Sequence, residues 1–243
     1  MFKPENLVDS AIWQKGLRKE NVPGICILDP DGDIVRNLVK TGHAKKSESW
    51  PCYHTDMYLF TMDGIDFGIV GYAVGSPFAV LVAEEMFALG CRLLISMTSA
   101  GLIDPSVKRP CYMLIEKSII DEGTSRLYRP WAMVAELDVG LKTRLDGLIH
   151  DGTLRSGIAW TTDAPFRETR SRIARMRKIG VTAVEMESSA LYSFASAKKK
   201  AVICLAHITN EMGTGDNEFD KGGENNTDSS LKLISAMVKR ILG

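Results

Sequence analysis

Residues 180–197, GVTAVEMESSALYSFASA, change hydrophobic period at a single point. Val181, Ala183 and Val184 open the stretch like a buried strand, and from Glu187 onward Ala190, Leu191 and Phe194 fall on one face of a helix. Lys198, Lys199 and Lys200 follow at the helix end, where cations suit the dipole. The junction carries two carboxylates, Glu185 and Glu187, on either side of Met186. In extended backbone, residues two apart point the same way, so the pair has the geometry to accept two O–H hydrogen bonds from a vicinal diol. An exposed pair of helix-start acids, stabilised by the macrodipole, fits the spacing equally well.

The same alternation runs through the chain. An amphipathic helix is expected over Pro4–Lys19, within an N-terminal segment of residues 1–20, with Leu7, Ala11, Ile12 and Leu17 on one side. Gly24–Leu28 reads as a short buried strand, entering the turn-rich Asp29-Pro-Asp-Gly-Asp33 and a helix over Ile34–Val39. Met57–Thr61 and Ile65–Gly71 read as a hairpin about Met62-Asp63-Gly64. Ser76 is the expected N-cap of a helix over Phe78–Leu89, with Pro77 behind it. The strand Arg92–Thr98 then completes a β-α-β unit, and Thr98-Ser-Ala-Gly101 stands where open α/β sheets place ligands. A helix is expected within Trp131–Ile149, strands over Tyr112–Lys117, Ser156–Trp160 and Ala201–Ile208, and a final helix capped by Thr227 or Asp228. Residues 211–228, polar and holding Gly213, Gly215, Gly222 and Gly223, are expected to form a mobile loop.

Several function classes fall away. Acidic and basic residues balance at 30 each, so no strong field draws nucleic acid or an anionic membrane. No apolar run approaches the roughly 20 residues of a membrane span, and the N-terminus is unlike a signal peptide. Five scattered cysteines without CxxC spacing suggest reduced thiols in a cytoplasmic protein. Metal-ligand spacings, a nucleophile elbow and the GxGxxG fingerprint of a nicotinamide dehydrogenase are missing. His207, inside an apolar run, reads more readily as a core histidine than as a catalyst.

VEMES followed by an apolar helix resembles the ribose-binding signature of the nucleoside phosphorylase family, which includes purine nucleoside phosphorylases, uridine phosphorylases and related nucleosidases. The similarity extends from about Gly24 to the last helix. It implies a single domain over residues 1–243: a three-layer α/β/α fold with a mixed, partly barrel-like central sheet. It also implies roles. Glu187 matches the carboxylate that accepts the ribose hydroxyls; Met186 would pack on the sugar, and Glu185 would support the loop. Gly32 and Arg36 resemble the family's first phosphate-binding element, and Ser99 and Gly101 the loop holding phosphate or the ribose face, Gly101 being placed beside the base. Ile119–Ser125 matches a stretch that shapes the pocket and the subunit interface. Thr162, Phe166, Arg167 and Glu168 occupy the base-reading segment, with Phe166 able to stack and Arg167 and Glu168 able to bond base edges; a surface loop with Phe166 tucked inward is the plainer alternative. His54 lies in the segment that in relatives crosses to a neighbouring ribose site, which implies a homodimer or an assembly of dimers, up to a hexamer.

Two departures bear on chemistry. Purine phosphorylases of this type carry an aspartate at the Asn210 position; an amide cannot protonate a leaving base but can donate a hydrogen bond, which favours a 6-oxopurine or pyrimidine over adenosine. Ser96 stands where the family has a phosphate-binding arginine, and a second arginine falls near Tyr53 or His54. The resemblance therefore implies N-glycosidic cleavage of a nucleoside, with Glu187 and Asn210 as catalytic residues. Inorganic phosphate is the co-substrate, no other cofactor or metal is used, and phosphorolysis stands ahead of hydrolysis by water. A non-catalytic nucleoside-binding relative is the alternative of a different class.

Overall fold

The computed structural model describes residues 2–150, 154–211 and 225–243; Asn210, Glu211, Asn225 and Asn226 enter through their backbone alone. The strands are β1 (Ile25–Asp29), β2 (Lys45–Lys46), β3 (Met57–Met62), β4 (Ile65–Gly71), β5 (Leu93–Leu102), β6 (Cys111–Asp121), β7 (Val134–Glu136), β8 (Arg155–Thr162), β9 (Ala183–Glu185) and β10 (Ala201–Glu211). The helices are α1 (Pro4–Lys15), α2 (Asp33–Lys40), α3 (Ser76–Ala88), α4 (Ser125–Tyr128), α5 (Val139–His150), α6 (Arg170–Lys178), α7 (Ser188–Lys198) and α8 (Asn225–Leu242).

All strands belong to one mixed sheet, in the order β10-β6-β8-β9-β5-β1-β4-β3-β2, with β7 on β6. Because β10 also pairs with β5, the five strands β5, β9, β8, β6 and β10 close into a ring, and β1, β4, β3 and β2 form an open wing. One group of helices (α1, α3, α4, α7) and another (α2, α5, α8) pack around this sheet. The ring is the partly barrel-like element implied above.

Strand β5 explains where a ligand can enter. Along one edge it pairs with β1 from Leu93 to Ser96, and with β9 only at Gly101 and Leu102. Residues 97–100 lie between these pairings, at the point where the sheet divides. Backbone donors there are free to meet side chains, and open α/β sheets bind ligands at such switch points.

Several elements differ from expectation for local reasons. Helix α1 stops at Lys15 because Gly16 turns left-handed, with φ 63°. Strand β5 runs four residues past Thr98, since β10 pairs with it to Leu102. Ser76 is the first residue of α3 and not its cap; Gly75 takes the cap position, and the Ser76 hydroxyl donates to the Met186 carbonyl at 2.8 Å. The segment before α5 contributes β7, which was not anticipated. Helix α8 begins at Asn225, so Thr227 and Asp228 lie inside it. Of the loop expected over 211–228, Glu211 ends β10, 225–228 belong to α8, and 212–224 lie outside the described residues.

Candidate functional site

Glu185 ends β9 and Glu187 caps α7. Both are buried, at 4% and 2% exposure, which removes the reading as surface helix-start acids. Their surroundings divide the labour. Glu185 Oε2 accepts the N–H groups of Glu187 (2.8 Å) and Ser188 (2.7 Å), while Oε1 accepts the hydroxyls of Thr161 (2.5 Å) and Ser188 (2.7 Å). The side chain that satisfies the first amides of α7 is thus the one two residues before its cap. Glu187 has fewer partners: Oε1 accepts the Gly75 N–H at 2.8 Å and Oε2 the Thr98 hydroxyl at 3.1 Å. Burial, and then the nearby Glu185 charge, push the Glu187 carboxyl up to about 8. Burial raises Glu185 as well, against its four hydrogen bonds. Each Glu187 oxygen keeps acceptor capacity, and Met186 beside it is half-buried. Gly75 holds φ 87° and ψ 148°, a conformation essentially reserved for glycine.

The next wall comes from the β1–α2 turn. Asp31 Oδ2 accepts the Ser99 N–H at 2.7 Å, the amide set free by the gap in β5 pairing. Asp29 is buried and accepts the Val35 N–H at 2.9 Å; burial pushes its carboxyl up to about 7, and Asp31 and Asp33 add to the rise. Gly32 is left-handed (φ 74°), and a Cβ there would lie 2.1 Å from the Tyr72 ring, so any other residue would be strained and would have to displace that ring. Arg36 is ion-paired with Asp33 at 3.0 Å and its side chain is 59% exposed. Arg36 and His54 line one cavity of about 480 Å³, together with Tyr72. The structure thus gathers Gly32 and Ser99 about Asp31, and sets Arg36 and His54 to one side. Ser96, in place of the family arginine, is buried and its hydroxyl has no partner among the described residues.

Strand register brings the base end together. Gly101 pairs with Val184 on one side and with Asn210 on the other. Thr162 is buried at the end of β8. Beyond it, Pro165–Arg167 form a single 3-10 turn, with Phe166 fully exposed and not tucked inward. Burial pushes the Glu168 carboxyl up to about 7, with Arg172 pulling it down. Glu122, in the middle of the Ile119–Ser125 stretch, accepts the Ser125 N–H and the Ser189 hydroxyl (2.9 Å), tying that stretch to α7. His207 sits in register with Ser99 and stacks on Tyr112 at 4.7 Å; burial lowers its pKa while Asp31 raises it.

Sequence reasoning assigned no role to Gly75 or Asp31, and held Thr98 only as part of the ligand-side stretch 98–101. Of the first two, Asp31 carried a signal, as one of three acids in the turn Asp29–Asp33.

The chain is an α/β protein whose mixed sheet closes in part into a five-stranded ring, with Glu185 and Glu187 buried at the β9–α7 junction. The chain belongs to the phosphorylase superfamily, whose family model matches residues 25–242. It is 25% identical over 237 residues to a uridine phosphorylase of Thermococcus kodakarensis, covering 87% of this chain and 83% of that protein. It is 27% identical over 161 residues to a DeoD-type purine nucleoside phosphorylase of Bacillus cytotoxicus, covering 64% of this chain and 68% of that protein. Its fold is similar to that of a 5′-methylthioadenosine/S-adenosyl homocysteine nucleosidase of Campylobacter jejuni, with a TM-score of 0.69 at 18% identity, covering 90% of this chain and 98% of that one. Among the described residues, no helix is long and apolar enough to cross a membrane.

Proposed function

We propose that this chain cleaves the N-glycosidic bond of a nucleoside, with the ribose hydroxyls donated to Glu187. The observation that carries this reading is the buried Glu187 carboxylate, held by only Gly75 and Thr98. A site that must stabilise an oxocarbenium-like sugar needs acceptors fixed against the ribose hydroxyls, and the preorganised Glu187 carboxyl supplies them, carrying full negative charge above about pH 8. Asn210, set by strand register beside Gly101, donates an amide hydrogen bond to the departing base; the substrate is a 6-oxopurine or pyrimidine nucleoside.

Water is the nucleophile we assign. Asp31 stands on the Ser99 amide that phosphate would use, and Asp29 and Asp33 flank it. A phosphate dianion there would meet the Asp31 carboxylate, with one exposed arginine already paired with Asp33, an unfavourable balance of like charges. A water molecule in the same place has a carboxylate to receive its proton. Its oxygen bonds to C1′, the C–N bond breaks, its electron pair leaves on the base, and the proton taken by Asp31 returns to the base through solvent. Phosphorolysis, placed first by the sequence, is the second reading: the left-handed Gly32 turn and Arg36 favour it, with Asp31 displaced from Ser99 by phosphate. The test is a phosphate titration in which the sugar product is identified.

We place the enzyme in a homodimer or an assembly of dimers. Exposed Val39 and Tyr72 line the Arg36–His54 cavity, a surface suited to a second copy whose His54 segment reaches a neighbouring ribose site.

A further inference from the structure

At the far end of α7 from Glu187, roughly 15 Å along the helix, lies a second cavity of about 790 Å³. Arg129, Arg144, Lys199 and Lys200 line it, against Glu136 and Asp138. The two acids are already engaged. Glu136 is paired with Lys117 at 2.9 Å, and Asp138 Oδ1 accepts the Leu141 N–H at 3.0 Å as it caps α5. The cations are less fully answered. Arg129 and Lys199 have no carboxylate within ion-pair distance among the described residues. Arg144 gives one N–H to the Ile241 carbonyl, and Lys200 sits over the Phe87 ring. The Val139 and Gly140 amides at the start of α5 also lack acceptors among the described residues.

A helix C-terminus explains lysines at 199 and 200. Arg129, the C-cap of α4, and Arg144, which donates to the Ile241 carbonyl in the last turn of α8, arrive from two other elements and converge on the same space. In a chain whose formal charges balance at 30 and 30, this local positive excess around a concave surface is a site for an anion. Its volume lies within the 300–1,000 Å³ typical of small-molecule sites, too large for an inorganic ion alone, and Leu141, Val202 and Ile241 give it an apolar wall.

We propose that this cavity binds a phosphate monoester of mononucleotide size, with Arg129, Arg144 and Lys199 on the phosphate and the organic part against Leu141, Val202 and Ile241. The test is calorimetric titration of adenosine 5′-monophosphate into the Glu187→Gln variant, so that the nucleoside site is disabled and no turnover is needed; the outcome is independent of the reaction assigned above. Saturable binding is expected, with adenosine giving none. On the same background, Arg129→Ala/Lys199→Ala should weaken binding by about 100-fold or more, while Arg129→Lys/Lys199→Arg should stay within about tenfold. Absence of binding, equal binding of adenosine, or affinity unchanged in the alanine pair would overturn the proposal; equal loss in the charge-preserving pair would mark the two residues as structural and overturn it as well.

Discussion

Gly75 and Glu187, 112 residues apart in sequence, meet at 2.8 Å where the Gly75 N–H donates to Glu187 Oε1. The contact joins the start of α3 to the start of α7 and fixes the carboxylate before any ligand arrives. It depends on a glycine, because φ 87° with ψ 148° strains any side-chain-bearing residue. Gly75→Ala is expected to destabilise the fold by about 1–3 kcal/mol and to lower kcat/KM for the best nucleoside by roughly tenfold as the carboxylate loses its alignment. Urea unfolding and steady-state kinetics check the two effects; native values for both would mean that the Gly75 contact is incidental.

Glu187 should also make stability depend on pH. Its folded pKa, raised to about 8 by burial and by Glu185, exceeds the ordinary carboxyl value of about 4.3. Between these values the folded state binds more protons than the unfolded state, so stability falls as pH rises through the window. Glu187→Gln removes the titration. The variant's melting temperature should therefore exceed that of the native chain by more at pH 8 than at pH 5, each 1 kcal/mol appearing as roughly 2–4 °C. A difference that is constant across pH would show that Glu187 is not a buried titrating group.

Glu185 should matter chiefly to the fold. Four donors converge on it, two of them backbone amides of α7, and Glu185→Ala strands them in the interior. At about 1–3 kcal/mol for a buried group left unsatisfied, a loss of at least ~3 kcal/mol is expected in chemical denaturation. A variant that unfolds at the native denaturant midpoint would refute the assignment of Glu185 as the support of this junction.

The asymmetry between these two carboxylates shows what the sequence made legible. The VEMES junction was readable because its information is local: a period change, two acids and a helix. The hydrogen bonds that hold the two acids were not readable in the same way, because Gly75, Thr98 and Thr161 lie on other elements. Val74-Gly-Ser-Pro77 read as an ordinary helix start because an N-cap serine and a serine reaching for the Met186 carbonyl look the same in sequence. The ring was legible only through family likeness. Strand β9 was readable as a strand, but nothing local says that it pairs with both β5 and β8, and the extension of β5 past Thr98 is imposed by β10. The Asp31–Ser99 contact was hidden because the amide is free only through a gap in pairing that emerges when the sheet divides.

Base selectivity should follow Asn210. An amide cannot protonate a purine as it leaves, so adenosine is expected to be a poor substrate beside inosine, guanosine or uridine. Asn210→Asp supplies an acid, and positioned proton transfer is worth about 100-fold or more; at least a tenfold rise in adenosine cleavage is expected. A native enzyme that prefers adenosine would remove Asn210 from the account.

The most direct measurement follows the sugar. The best nucleoside is incubated with enzyme across a phosphate titration that begins at none, and the sugar product is identified. The account predicts free ribose at a rate independent of phosphate, abolished in Glu187→Gln and strongly reduced in Asp31→Asn. Ribose 1-phosphate that increases with phosphate and falls in Arg36→Ala would contradict water as the nucleophile, and absence of cleavage of any nucleoside under either condition would contradict the enzyme itself.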